Sequence, residues 1–131
     1  MTNTSMKMVK VLVVEDEPSI CKVCSLTLTG EGFGVDIAAN GEIAGTMLKK
    51  REYDLILVDI KMPDMDGKQF FQMIVQEYPR LINGVIFTSG DVLSGDTEKF
   101  IKKSGRLFLP KPFTLNELKS VITEGLHRLV K

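Results

Sequence analysis

The sequence contains no tryptophan, a single histidine and only two cysteines in 131 residues, and each shortage removes a class of function. The two cysteines, Cys21 and Cys24, make one C-x-x-C with no second ligand pair, and His127 is remote from them. The ligand count of a structural zinc site or a disulfide framework is therefore not met. The pair is read as packing of one helix turn, as buried free cysteines commonly are. His127 falls late in the final helical segment, where a cation suits the helix dipole, and is given no chemical role. Charge of one sign is also missing: 17 Lys and Arg balance 17 Asp and Glu. There is no basic excess to draw the chain directly to nucleic acid or to an anionic membrane surface. Long apolar runs are absent too. Val11 to Val14 and Leu55 to Val58 fall far short of the roughly 20 residues that span a bilayer, and residues 1–10 have no apolar core of signal-peptide length. The expectation is a cytoplasmic chain with a flexible leader at 1–8 and one domain at 9–131. No G-x-G-x-x-G or Walker pattern occurs, which argues against a nucleotide-cradling loop.

What is present is a repeated alternation. With 44% apolar residues the chain has enough to bury one core, and short β-branched runs alternate five times with segments of helical period. Repeated βα units imply a parallel sheet covered on both faces. Strands are expected at Val9 to Val14, Gly34 to Ala38, Asp54 to Val58, Gly84 to Thr88 and Leu107 to Leu109. The first helix starts at Pro18, carries Ile20, Val23, Cys24 and Thr27 and stops at Gly30 or Gly32. The second is capped by Asn40 and carries Ile43, Ala44, Met47 and Leu48. The third holds Phe70, Phe71, Ile74, Val75 and Tyr78 and ends before Pro79. A short fourth helix holds Phe100 and Ile101 and ends at Gly105. The last opens with the capping box of Thr114 and Glu117 and is expected to bury Leu115, Leu118, Ile122, Leu126 and Leu129.

Ligands of open parallel sheets gather at the carboxyl ends of strands. Here those ends carry Glu15 and Asp16, then Asp59, then Thr88 and Ser89, then Lys111 and Pro112. Singly, each has an ordinary reading: acids favour a helix N-terminus, and a threonine at a strand end is common. If the ends converge, however, three carboxylates repel one another by about 1 to 4 kcal/mol per close pair. A hard dication with oxygen ligands would hold them together, and Lys111 would add a point charge for a phosphate. Such a pocket suits phosphoryl transfer, which needs positioning and charge neutralisation more than covalent chemistry from the protein. Asp59 is the candidate nucleophile, since a carboxylate ionised at neutral pH needs no general base.

E-D-E-P after the first strand, D-I-K-M-P-D-M-D-G after the third, T-S-G after the fourth and K-P-F after the fifth resemble the response-regulator receiver domains of two-component signalling, over roughly Val9 to Val130. The resemblance implies a doubly wound α/β fold, a flavodoxin-like (βα)5 with five parallel strands in the order 2-1-3-4-5. It implies that Asp59 accepts a phosphoryl group from a histidine kinase or histidine phosphotransfer protein, with Mg²⁺ or Mn²⁺ as cofactor. The metal would be held by Asp59, by Asp16 directly, by Glu15 through water and by the backbone carbonyl of Lys61. Thr88 would donate its hydroxyl to the phosphoryl group and Lys111 would pair with it. Phe108 would be the aromatic that turns inward when Thr88 moves, lacking the hydroxyl of a tyrosine. Met62, Pro63 and Gly67 would shape the loop, and the Lys111-Pro112 peptide would be cis. The chain would be a stoichiometric phosphoacceptor and not a conventional enzyme. Its signal would pass to a downstream protein through the helix 4, strand 5 and helix 5 face.

A flavin or nucleotide enzyme on the same fold is the rival from another class, but E-D-E-P offers carboxylates where such a site needs backbone donors. A pseudo-receiver would have lost the phosphoacceptor, the acid pair or the lysine. A receiver module of a hybrid sensor kinase would share all four motifs, and the start at Met1 favours a stand-alone chain. Lys99, Lys102 and Lys103 are read as a solvated helix face ahead of a site for an acidic partner. Lys61 and Gly90, each two residues beyond a site residue, are expected to govern water access to the phosphoryl group.

Overall fold

The computed structural model describes residues 8–62, 65–91 and 95–129. The expected leader, apart from Met8, and the loop-shaping role given to Pro63 lie outside the described residues. Five strands, β1 (Lys10–Val14), β2 (Gly34–Ala38), β3 (Leu55–Asp59), β4 (Val85–Ser89) and β5 (Leu107–Pro110), alternate with five helices. These are α1 (Pro18–Gly30), α2 (Gly41–Lys50), α3 (Gly67–Glu77), α4 (Gly95–Ser104) and α5 (Leu115–Leu129). The strands form one sheet in the order β2-β1-β3-β4-β5, parallel throughout, the expected doubly wound arrangement.

Period-two alternation explains why β1, β3 and β4 read as unbroken apolar runs: each faces two cores. Leu12, Val14, Ile56, Val58 and Phe87 point to the side covered by Ala44 and Leu48 of α2 and by Phe70, Phe71 and Ile74 of α3. Val11, Val13, Leu55, Leu57 and Ile86 point to the side covered by Cys24 and Leu28 of α1 and by Leu118 and Ile122 of α5. Each fully buried aliphatic side chain contributes about 1.5–3 kcal/mol, so the central strands anchor both layers. Phe87 stacks edge-on against Phe71 (5.2 Å) and Phe100 (5.0 Å), tying α3 and α4 to β4.

The helix starts follow the expected chemistry. Asn40 Oδ1 accepts from the Ile43 N–H at 2.8 Å, and Thr114 and Glu117 close a reciprocal box at 3.0 and 2.8 Å. A second capping box, Asp66 with Gln69, begins α3 and was not foreseen, nor was the 3₁₀ segment Pro79–Gly84. Several expected core positions are instead exposed: Val23, Ile43, Val75, Leu115 and Leu129. The apolar stripes are wider than the contact with a flat sheet, so α1 buries Cys24 and Leu28, one turn apart, while Val23 is rotated outward. β3 runs one residue further than its apolar pattern, placing Asp59 on the last rung of the ladder opposite Thr88. Cys24 is buried and Cys21 half-buried, both as free thiols. Burial pushes both thiols up, that of Cys24 to about 12, which leaves them protonated and poor nucleophiles. No helix among the described residues is long and apolar enough to cross a membrane.

Candidate functional site

Backbone hydrogen bonds just beyond the strands fix where each polar side chain emerges. The Glu15 N–H donates to the Ala38 carbonyl at 2.9 Å, the Ile60 N–H to Thr88 at 2.9 Å and the Lys111 N–H to Ser89 at 2.9 Å. Each ladder is thus carried past the last strand residue, and Glu15, Asp59 and Lys111 open onto one pocket at the carboxyl edge of the sheet.

Lys111 is the hub. Its ammonium lies 2.9 Å from Glu15 Oε1, 2.9 Å from Glu17 Oε1 and 3.0 Å from Asp59 Oδ2. The ammonium has three protons, and they are donated to Glu15 Oε2, Glu17 Oε1 and Asp59 Oδ2. Glu15 Oε1 is close to the charge but outside hydrogen-bonding geometry, so it is a buried oxygen with no hydrogen bond. Asp59 Oδ1 accepts from the Lys61 N–H at 3.1 Å, so both oxygens of this carboxylate are oriented. Glu15 is 1% exposed and Asp59 3%. Burial pushes the Glu15 carboxyl up to about 7, with the Asp59 charge adding to the rise, although the Lys111 hydrogen bond opposes it. Burial alone would lower the Lys111 ammonium, but its hydrogen bonds to Glu17, Glu15 and Asp59 outweigh it and raise the net value.

Three carboxylates against one ammonium leave the pocket short of positive charge. Oxygens of Glu15, Glu17 and Asp59 lie within 4.8 Å of one another, and Glu15 Oε1 is buried with no hydrogen-bond partner among the described residues. An all-oxygen donor group of this kind fits a hard dication such as Mg²⁺.

Of the residues expected at the site, Glu15, Asp59 and Lys111 converge. Asp16 is exposed and is not among these three acids, while Glu17, which sequence reasoning passed over, lies beside Lys111. The physical reason is the backbone: Glu17 is still extended (φ −87°, ψ 114°), and residues two apart on an extended chain share a side. That periodicity was the available signal. Lys61 flanks the pocket through its bond to Asp59, with its ammonium 3.5 Å from Asp91. Thr88 is buried, and its hydroxyl donates to the Leu109 carbonyl at 2.6 Å. Phe108 is half-buried and lines a groove with Thr97, Ile101 and Pro110. The Lys111-Pro112 peptide is cis. At Gly67 a Cβ would sit 2.7 Å from both the Asp59 carbonyl oxygen and Ile60 Cα, so only glycine lets α3 begin this close to β3.

Comparisons with known proteins agree with this geometry. The chain is 32% identical over 125 residues to the transcription factor SKN7 of Saccharomyces cerevisiae, covering 95% of this chain and 20% of that protein. It is 31% identical over 121 residues to the response regulator Rre1 of Synechocystis, covering 92% of this chain and 52% of that one. The chain therefore spans from a fifth to about half the length of these relatives. A CheY-like response regulator receiver domain protein from Methanospirillum hungatei superposes with a TM-score of 0.85 at 26% identity, covering 95% of this chain and 98% of that one. The sequence profile of the response regulator receiver domain matches residues 11–123, and with the fold and the strand-end pocket described above it places this chain in that family.

Proposed function

We propose that Asp59 accepts a phosphoryl group from a phosphohistidine on a histidine kinase or histidine phosphotransfer protein, and that the resulting change of shape is the output. The observation that carries this reading is the Lys111 ammonium held 3.0 Å from Asp59 Oδ2 in a pocket where both groups are largely withdrawn from water. In the transfer, the P–N bond of the donor breaks as a P–O bond to the Asp59 carboxylate forms, and the imidazole ring leaves. Lys111 neutralises a phosphoryl oxygen, and the Lys61 N–H keeps the carboxylate aimed. Asp59, Glu15, Asp16 and the backbone carbonyl of Lys61 would hold Mg²⁺ or Mn²⁺, with Asp16 turning in from the rim. The metal would supply charge neutralisation between carboxylate and phosphoryl oxygens. Because the phosphoryl group stays on Asp59 until water removes it, the chain acts as a stoichiometric acceptor.

Thr88 is the readout. Its hydroxyl now serves the Leu109 carbonyl, and a phosphoryl oxygen would compete for the same proton. Losing that bond loosens β5 beside Phe108, and the aromatic turns toward the space that Thr88 leaves. This biases the surface of α4, β5 and α5 toward a downstream protein partner. The test is mass measurement of the wild type and of Asp59→Asn after incubation with acetyl phosphate and Mg²⁺. One added phosphoryl group in the wild type and none in the variant is expected; equal labelling removes Asp59 from the role. Mg²⁺ titration followed by amide shifts of residues 59–61 should lose most of its response in Asp16→Asn, and an unchanged titration removes Asp16 from the ligand set.

A further inference from the structure

Resting on the phosphoacceptor reading, we infer that Glu17 is a positioning residue. Its carboxylate latches Lys111 in the resting pocket and competes with phosphoryl oxygens for the ammonium. The argument begins with a count of donors. An ammonium offers three protons, and in this pocket all three are taken, by Glu15, Glu17 and Asp59. The lysine backbone is fixed by its N–H bond to Ser89, so a new acceptor cannot be met by moving the strand. A phosphoryl oxygen on Asp59 therefore has to displace one of the three existing acceptors.

The three are not equally held. Phosphorylation moves the charge of Asp59 onto the phosphoryl oxygens, which inherit the proton that Lys111 gave to Oδ2; Glu15, whose side chain is 1% exposed, would be a buried, uncompensated charge if left without the cation. The Glu17 side chain is 57% exposed, and water can solvate it as it leaves. An exposed ion pair is weak, worth about 0.2–1 kcal/mol, against several for a buried one. Of the two glutamates, Glu17 is thus the partner that yields when a further phosphoryl oxygen claims Lys111. Its position follows from the sequence: the extended residue just before Pro18 starts α1, two residues beyond Glu15, returns its side chain to the pocket.

The latch makes a prediction opposite in sign to that for a metal ligand. Removing a competing acceptor should tighten the hold on a phosphoryl group, whereas removing a ligand should weaken the pocket. Beryllofluoride binding at saturating Mg²⁺, measured by calorimetry on the whole chain, separates the two. Glu17→Gln and Glu17→Ala are expected to bind this phosphoryl mimic about two- to fivefold more tightly than wild type, while Glu124→Gln, the same charge change on exposed α5 surface, does not. Raising salt to about 0.5 M, where the Debye length is roughly 4 Å, should narrow the gap, because the exposed pair is already weakened in the wild type. A merely structural role for Glu17 would not give that salt response. Affinity equal to or weaker than wild type in both Glu17 variants overturns the latch. So does a fall of more than about tenfold in affinity for Mg²⁺ alone, a loss of the size expected for a metal-binding group. Failure of the wild type itself to bind beryllofluoride with Mg²⁺ removes the phosphoacceptor reading, and the latch with it.

Discussion

Replacing Lys111 by methionine keeps the length of the side chain and removes its charge, which isolates what the ammonium does for the resting fold. Two of its three partners are buried acids, Glu15 and Asp59. Removing one member of a buried ion pair costs about 3–5 kcal/mol, because the charge left behind is uncompensated. For a domain of this size that corresponds to a fall in Tm of about 10–20 °C. The loss should depend on pH. The Glu15 carboxyl is pushed from 4.5 up to about 7 even with Lys111 present, so its protonation favours the folded state. Its contribution is complete below 4.5 and disappears as pH rises through about 7. In the variant a neutral Glu15 relieves the repulsion with Asp59, so the destabilisation should be small near pH 5 and full at pH 8. Urea unfolding of both proteins in EDTA at the two pH values measures this, and two further arms follow. Saturating Mg²⁺ should restore stability, by about 2.7 kcal/mol at one hundred times its Kd. The double variant Lys111→Met/Glu15→Gln should recover much of the loss without metal. A loss below about 1 kcal/mol at pH 8, against the several expected for a buried pair, or one that does not change with pH, refutes the claim that the ammonium holds these acids together.

The remaining expectations concern the supports of the site and the edge of the sheet. Gly67→Ala should cost about 1–3 kcal/mol, because the new Cβ meets backbone atoms of Asp59 and Ile60 that cannot step aside; Mg²⁺ affinity should fall with it, and an unchanged urea midpoint would contradict the close approach. Tyr53→Phe should cost about 1 kcal/mol by removing the 2.6 Å hydrogen bond to Asp36, a charge-assisted bond discounted for the partial exposure of its acceptor. The Tyr53 hydroxyl, ahead of Arg51, holds the Asp36 carboxyl below its ordinary 3.8, and burial with the Asp36 bond raises Tyr53 to about 12. The gap between wild type and variant should therefore be full from about pH 4 to 10. It should close as acid protonates Asp36 and, at the other end, as alkali ionises Tyr53 toward pH 12; a gap constant from pH 3 to 7 counts against this pair.

The parts of the fold readable in advance are those where one physical demand controls the residue type. Leu55 to Val58 are apolar at every position because both faces of β3 are covered, and Asn40 and Thr114 announce helix starts because their side chains replace missing backbone acceptors. The strand-end addresses of Asp59, Thr88 and Lys111 follow from the same pattern. Illegible parts arise where two demands overlap. Asp66 sits in a loop dense with Asp and Gly, so its capping of Gln69 looks like turn chemistry. Val23 and Ile43 are apolar on faces that the sheet does not reach. Asp16 and Glu17 could not be ranked from residue type, since both are acids before Pro18; the side to which each points depends on how far the extended backbone continues.

The aromatic contact between Phe100 and Phe87 bears on the economy of motion in this domain. α4 has Thr97 as its one fully buried residue, whereas α3 buries Gly67, Phe70, Phe71 and Ile74, so α4 rests on the molecule mainly through Thr97 and the half-buried Phe100 and Ile101. The Phe100 ring touches the residue directly before Thr88. A disturbance of β4 thus reaches α4 at one of its few footholds, and tilting this helix disrupts less packing than tilting α3 would. The proposed phosphoacceptor sits at the carboxyl edge of the sheet, and the element best able to report a change there is the one with the least to lose by moving.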